Sequence, residues 1–150
     1  MAKELTKMKD SISPEHCVSN NLHKTARAIT KVYEDAIRPC GIRRSQFSIL
    51  AHLYRLHTVQ LSVLSDHMIM DRTTLSRNLK PLLNSGLVEV KPSVDDARAK
   101  DISLSKDGKL KYKEALKLWT KAQKFVVKKY GADNWQQLEQ ALTVLRERVS

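Results

Sequence analysis

Residues 61–77 read LSVLSDHMIMDRTTLSR, and their pattern is the strongest indication of the fold. Apolar residues at helical spacing predict a short helix over Leu61–Met68 and a second helix over Arg72–Ser85. Asp71 is a suitable N-cap for the second helix, and a very short turn separates it from the first. Because two helices joined so closely cross rather than lie antiparallel, the pair is typical of a helix-turn-helix.

The second of these helices has two contrasting faces. Its inner face is apolar and needs a core, and it carries Leu75, Leu79 and Leu82. Its outer face combines hydroxyl groups with cations and has no acid, and it carries Thr73, Ser76, Arg77 and Lys80. A solvated face usually mixes acids with lysines, so this one suits a phosphate-lined groove. Gly86 provides the C-terminal stop, and Pro81 predicts a bend after the reading half.

The flanking sequence is mostly helical. Apolar periodicity predicts helices over about 14–37 and 44–56, a long helix after Ser105 that ends at Gly131, and a last helix to about residue 149. Only 87–90 and 101–104 have strand character, and the polar segment between them predicts a charged hairpin. Residues 1–13 are expected to form a loose tail. The predicted fold class is therefore mainly α with a small β-hairpin.

Charge points to a polyanionic partner. Lys and Arg total 27 against 16 Asp and Glu, a formal net charge of +11 in 150 residues. Such a surplus suits nucleic acid, or less often an anionic membrane surface, although an ordinary basic protein also fits. The sequence has no apolar run typical of a signal peptide or a membrane span, so we expect a cytoplasmic protein without a membrane partner. Cys17 and Cys40 are then expected to be reduced thiols.

Several separate motifs resemble the MarR family of winged helix-turn-helix regulators. Residues 61–77 resemble its helix-turn-helix, and Gly86-Leu87-Val88 resembles its entry into the wing. The run from Asp96 to Gly108 is similar to its wing signature D-x-R-x5-L-[ST]-x-x-G. The resemblance covers about 14–149 and implies a single domain over 14–150. Within it, 44–104 would form the DNA-binding part, and helices in 14–40 and 105–150 would form a dimerisation region.

The resemblance implies a sequence-specific DNA-binding transcriptional regulator, by family habit a repressor. The implied contacts with double-stranded DNA are Ser62, Arg72, Thr73, Thr74, Ser76, Arg77, Lys80, Arg98 and Lys100, with Asp96 orienting Arg98. Arg98 would enter the minor groove at the wing tip. Ser62 and Thr74 could equally serve their own helix starts. Gln60 stands where the family usually has a Ser or Thr cap, and Ser65 where a small apolar residue is commoner.

The terminal helices carry more apolar surface than closure of one domain needs. Their large apolar residues include Trp119, Phe125, Trp135, Leu138, Leu142 and Leu145. An intramolecular bundle would explain them, but the resemblance implies a homodimer. A two-fold dimer places its reading helices one DNA turn apart and predicts a pseudo-palindromic operator.

The resemblance also implies control by a small-molecule effector, often phenolic, or by cysteine oxidation. A ligand pocket between the terminal helices and the reading head would be lined by His23, Arg27, His52 and Trp119, although each residue also fits ordinary packing. Cys17, near the first helix start, is the candidate redox residue.

Other classes of protein fit the sequence less well. Enzyme motifs such as G-x-S-x-G and H-E-x-x-H do not occur, so we expect no enzyme, and we expect no cofactor or metal. A sequence-indifferent architectural DNA-binding protein is the remaining alternative, and it leaves the hydroxyl-rich outer face unexplained.

Overall fold

The structure is a computed structural model that describes residues 12–93 and 99–149. The helices of these ranges are α1 (Val18–Ile37), α2 (Arg44–Leu56), α3 (Leu61–Met68), α4 (Arg72–Asn84), α5 (Lys106–Tyr130) and α6 (Ala132–Val149). The strands are β1 (Thr58–Gln60), β2 (Val88–Pro92) and β3 (Lys100–Leu104). Short 3-10 turns stand on either side of α1, at Pro14–His16 and Arg38–Cys40. The predicted mainly helical fold is confirmed.

The local signals place most helix ends correctly. Both α2 and α3 have the predicted bounds, and α4 ends one residue before the prediction. Gly41 and Gly86 adopt left-handed backbone angles, φ 71° and 69°, just after their helices. Such angles are easy for glycine, so both residues stop the chain from continuing as a helix.

The sheet is larger than the predicted hairpin. It has three strands in the order β1-β3-β2, and β1 pairs antiparallel with β3 so that Val59 lies opposite Ile102. The expectation of a two-stranded hairpin was therefore incomplete. Gln60 belongs to β1 and makes no side-chain cap bond to α3. The start of α3 is held instead by pairing of the strand before it.

The core lies between α2, α3, α4 and the sheet. The inner face of α4 is buried as predicted, with Leu75, Leu79 and Leu82 at 0%, 3% and 1% exposure. They pack in one cluster with residues such as Leu50 of α2 and Leu64 of α3. Burying a leucine side chain contributes about 1.5–3 kcal/mol. Burial of this face fixes which side of α4 remains outside.

A serine joins the sheet to α5. The Ser105 hydroxyl donates to the Gly86 carbonyl (2.6 Å) and accepts from the Gly108 backbone N–H (2.9 Å). Its own backbone N–H donates to the Leu87 carbonyl (3.1 Å). Ser105 is therefore the predicted N-cap of α5, and the same residue ties this helix to the chain entering β2.

The helices at the two ends of the chain are poorly covered. In α1 the only buried residue is Ile37, at its last position, and α6 has no buried residue among those described. Large apolar side chains therefore face solvent; those on α1, α5 and α6 include Val18, Leu22, Ile29, Phe125, Tyr130, Val144 and Val149. None of the helices in the described ranges is long and apolar enough to cross a membrane.

Candidate nucleic-acid interface

The start of α4 is fixed by its cap. The Asp71 carboxylate accepts the backbone N–H of Thr74 at 2.8 Å. Hydrogen bonds from Thr74, first from its side chain and then from its backbone, hold the pKa of Asp71 below its usual range. An anionic cap also suits the positive end of the helix dipole. The first turn of α4 is therefore ordered without help from a ligand.

The turn before Asp71 sets the angle between α3 and α4. Ile69 adopts a left-handed conformation, φ 48° and ψ 51°, which is unfavourable for a β-branched residue. The backbone N–H of Met70 donates to the Ser65 carbonyl (3.0 Å), and the buried Ser65 hydroxyl donates to the Ser62 carbonyl (2.7 Å). The polar residue at position 65 is thus satisfied within α3.

The outer face of α4 is a shallow open cavity of about 400 Å³. All five lining side chains are exposed, and they are Arg72, Thr73, Ser76, Arg77 and Lys80. The lining has three cations, two hydroxyls and no carboxylate. It therefore offers charge to phosphates and hydrogen-bond donors to base edges, on a helix whose opposite side is held by the core.

Two other sequence-predicted residues lie beside this face. Thr74 is half-buried, bonds to the Asp71 cap and accepts the side-chain amide of Asn78 at its carbonyl (2.9 Å). Ser62 is half-buried in the first turn of α3. The bonds seen at Thr74 serve the helix start, which is the alternative role that its sequence position allows.

The described part of the hairpin presents further cations. Lys100 is exposed at the start of β3, opposite Pro92, and the hairpin continues to a bond from the Ser93 N–H to the Ala99 carbonyl (3.0 Å). Lys91 pairs with Glu89 at 3.0 Å. The predicted wing-tip residues Asp96 and Arg98 lie outside the described residues.

The four predicted pocket residues do not share one cavity. His23 and Arg27 line a surface depression of about 420 Å³ along α1, whereas Trp119 lines a different cavity of about 300 Å³. His52 lines neither cavity, and its Nδ1 donates to the Ser48 carbonyl at 2.8 Å. Within this single chain the four residues have separate surroundings, because they lie on three different helices, α1, α2 and α5. A pocket that gathers all four stays a prediction.

The cavity at Trp119 lies between α1, α2 and α5. Trp119 stacks with Tyr33 and with Phe47, with ring centroids 6.1 and 6.0 Å apart. The Tyr33 hydroxyl donates to Gln123, and burial raises the pKa of Tyr33. Arg44 adds a cation to the lining. These polar members carry no local sequence signal, since residues from three distant helices meet only in the folded chain.

The two cysteines have different surroundings. Cys17 is exposed and free just before α1, whereas Cys40 is free but buried. Burial first, and then the nearby Glu114 carboxylate, raise the pKa of the Cys40 thiol. The ammonium of Lys111 donates to the Cys40 carbonyl (3.3 Å) and to Glu114 (2.7 Å). Within 12–93 and 99–149, no group of three or more His, Cys, Asp or Glu side chains could hold a metal ion.

These features define a class of protein. A short helix, a tight turn, an exposed cationic helix and a sheet that follows it form a winged helix-turn-helix, the architecture of many DNA-binding regulators. The sequence profile of the MarR family matches residues 41–99. The chain is also 31% identical to the M. tuberculosis transcriptional regulator MosR in complex with DNA, covering 88% of this chain and 95% of MosR with a TM-score of 0.79.

The chain belongs to the MarR family and is a DNA-binding transcriptional regulator. It is similar to the organic hydroperoxide resistance transcriptional regulator of Bacillus subtilis (strain 168), with 28% identity over 126 residues and 84% of each chain covered. A mutant of E. coli MarR complexed with operator DNA shares the fold, with a TM-score of 0.79 at 21% identity and coverage of 85% of this chain and 92% of MarR.

Proposed function

We propose that a homodimer of this chain binds a pseudo-palindromic operator and represses the neighbouring genes. The observation that carries the proposal is the acid-free outer face of α4, with Arg72, Arg77 and Lys80 around two hydroxyl side chains. Relatives support the partner: MosR and E. coli MarR are described in complex with DNA. We place the protein in the cytoplasm, where chromosomal DNA is available, and assign it no catalytic role.

Within this proposal each DNA contact has a separate task. Ser76 and Arg77 would reach base edges in the major groove, while Arg72 and Lys80 would neutralise phosphates. Lys100 and Arg98 of the wing would act on the adjacent backbone and minor groove, with Asp96 orienting Arg98. Ser62 would donate to a phosphate from the start of α3. These roles follow from residue chemistry and from the resemblance.

The exposed apolar surface of the terminal helices supports the dimer. Leu22 and Ile29 lie on one stripe of α1 and are 40% and 37% exposed, and Phe125 of α5 is 54% exposed. Contiguous apolar surface of this kind marks an interaction site. A second copy is the occupant that would cover both ends of the chain and supply the second reading helix.

The test of the operator proposal is selection of bound duplexes from a random pool at fixed salt. Selected sites should show two inverted half-sites centred about 10 bp apart, because two-fold related helices occupy successive turns. Replacing Arg77→Ala should weaken discrimination at one position of each half-site by about 10-fold, while Lys24→Ala on α1 should not. Recovery of unrelated sequences, or unchanged specificity in Arg77→Ala, would contradict the proposal and favour an architectural protein.

The cavity at Trp119 favours a small aromatic molecule as the effector that controls DNA binding. Its lining combines the rings of Tyr33, Phe47 and Trp119 with the cation of Arg44, which suits a planar ligand with an acidic group. Effector binding would alter the packing of α1 and α5 on α2 and so move the reading helices. Quenching of tryptophan fluorescence by 4-hydroxybenzoate in wild type, and its loss in Phe47→Leu, would support this site; quenching unchanged by Phe47→Leu would exclude it.

The exposed thiol of Cys17 favours a second candidate signal, oxidation. One relative is named for organic hydroperoxide resistance, and Cys17 is accessible whereas Cys40 is buried. Cumene hydroperoxide would convert the Cys17 thiolate to a sulfenic acid, with one oxygen transferred and cumyl alcohol released. Release of DNA by this oxidant in wild type and Cys40→Ser, but not in Cys17→Ser, would support redox sensing. Equal release in Cys17→Ser would exclude it.

A further inference from the structure

The exposed face of α5 carries a row of lysines that the reading head does not use. Their spacing of four, four, four, three and four residues keeps them within an arc of about 120° on the helix. All are exposed, and they are Lys109, Lys113, Lys117, Lys121, Lys124 and Lys128, here called the lysine row. At 1.5 Å per residue the row is about 29 Å long, close to one turn of B-form DNA.

The acids of α5 do not neutralise this row. The helix has two carboxylates, Asp107 and Glu114, and helical geometry puts both to one side of the row. Glu114 is occupied by Lys111, whose ammonium lies 2.7 Å away and outside the row. An ordinary solvated helix face alternates acids and bases, so six lysines without a carboxylate among them form a strongly positive strip.

The lysine row is continuous with the hairpin that follows the reading helix. Lys109, at its first position, lines the same cavity of about 470 Å³ as Lys91 of β2. Lys91 is also paired with Glu89 at 3.0 Å. Glu89 also lines this cavity and offsets the charge of Lys91, so Lys109 is the first unpaired cation met between the hairpin and the rest of the row.

The chemistry of the row favours a phosphate backbone over other anionic partners. Lysine contacts phosphates as a point charge and carries no bidentate pattern for base recognition. A membrane-binding helix needs an apolar face free to insert, but the opposite face of α5 is buried at Gly108, Ala115 and Ala122. An acidic protein would need apolar anchor residues. Two large apolar side chains beside the row are exposed, Leu110 and Phe125, and Phe125 belongs to the apolar surface that we assign to the dimer, which leaves Leu110 as an anchor.

We infer that the lysine row binds the duplex flanking the operator, without regard to sequence, so that DNA bends from the hairpin onto α5. This inference rests on the proposed function, because the two reading helices must first hold the operator. We assign the bound phosphates to the duplex on either side of the operator in the same DNA molecule, since Lys91 of the hairpin and Lys109 of the row line one cavity.

The test compares a duplex that covers only the operator with one extended on both sides by about 20 bp of random sequence. The dimer should bind the extended duplex about 10-fold more tightly at low salt, with a steeper salt dependence by about 0.9 for each phosphate neutralised. The triple variant Lys113→Gln, Lys117→Gln, Lys121→Gln should lose this gain and keep its affinity for the short duplex. The matched control Lys24→Gln, Lys31→Gln, Lys129→Gln removes the same charge outside the row and should keep the gain.

Each other outcome overturns the inference in a recognisable way. If wild type binds the extended duplex no more tightly than the short one, or if the triple variant keeps the full increase in affinity, the lysine row is not a DNA contact. Operator binding would be intact in either case. Failure of wild type on the short duplex contradicts the proposed function itself. If the row binds a separate random duplex but the extended operator duplex binds no more tightly than the short one, the flanking DNA is not its partner. If it binds poly-glutamate and the extended duplex again shows no increase in affinity, nucleic acid is not its partner.

Discussion

Gly108 lies so close to the Leu87 carbonyl that a Cβ atom at position 108 would stand 1.9 Å from its oxygen. The contact occurs where α5 crosses the chain entering β2, and the Ser105 N–H bond to the same carbonyl (3.1 Å) keeps the two backbones together. The spacing of Leu104, Ser105 and Gly108 in the family signature therefore has a structural cause. Leu104 packs into the core, Ser105 caps α5, and Gly108 permits the close approach.

Replacing Gly108→Ala is expected to destabilise the protein by about 2 kcal/mol. The gain in helix propensity is about 1 kcal/mol, but overpacking against backbone costs more, because the chain cannot move without breaking the Ser105 bond. Urea denaturation measures the change. Gly41→Ala is the control: it has a left-handed φ of 71° with nothing within 4 Å, so it should show only conformational strain. A Gly108→Ala protein as stable as wild type would contradict the close approach.

Replacing Ile69→Asn is expected to stabilise the protein by about 1 kcal/mol. Ile69 holds φ 48° and is 73% exposed, so relief of left-handed strain should outweigh the small loss of burial. The midpoint of chemical denaturation measures it. Val63→Asn gives a similar change, from a β-branched apolar residue to asparagine, at a helical position of α3, where it should be neutral or destabilising. If both variants lose stability, the strain assigned to Ile69 is wrong.

The cap at Asp71 predicts a pH-dependent contribution to stability. Because the folded pKa of Asp71 is lowered, the contribution is complete above the unfolded pKa and is lost as pH falls through the folded pKa. Asp71→Ala should therefore lower Tm by about 2–4 °C at pH 7, and the difference from wild type should narrow as the pH falls below the unfolded pKa of the carboxyl.

Calorimetric scans at several pH values test this expectation. Asp71→Asn is the matched control, because asparagine caps a helix about as well but does not titrate. The difference in Tm between Asp71→Asn and Asp71→Ala should hardly change with pH. A difference between wild type and Asp71→Ala that persists undiminished at pH 3 would show that the carboxylate charge contributes nothing at this helix start.

Helices were predictable because their signals are local. Asp71 and Ser105 each make the side-chain cap bond that their positions suggest, and Gly86 stops α4 as expected. Strand β1 was missed because its three residues carry no period of their own. It becomes a strand only by pairing with β3, which places Thr58 opposite Ser103 far along the chain.

The outer face of α4 was predictable for a similar reason. Helical periodicity alone separates Arg77 and Lys80 from Leu75 and Leu79, and the structure keeps them apart in that way. The polar residues that line the cavity at Trp119 could not be predicted from the sequence. Gln123 enters it only because α5 packs against both α1 and α2, a tertiary arrangement that no local pattern encodes.

Pro81 is an exposed proline inside α4. Its replacement tests two separate effects, one on the stability of the fold and one on how α4 docks on DNA. Pro81 cannot donate to the carbonyl of Arg77, yet α4 continues to Asn84, and the Ser85 N–H donates to the Pro81 carbonyl (3.0 Å). Leu82, the next residue, is buried, and its packing holds this last turn in place. Pro81→Ala should raise the free energy of unfolding by up to about 3 kcal/mol, since little packing is lost. Urea denaturation tests this gain.

The same variant tests the bend expected from the sequence. If Pro81 bends α4 after its reading half, straightening the helix should change the affinity for a selected operator more than that for random duplex at equal salt. Lys80→Ala is the neighbouring control, because loss of a phosphate contact should weaken both duplexes alike. A Pro81→Ala protein that gains stability and binds both duplexes as wild type does would show that the proline does not influence docking. In that case, packing of Leu79 and Leu82 alone would set the direction of α4.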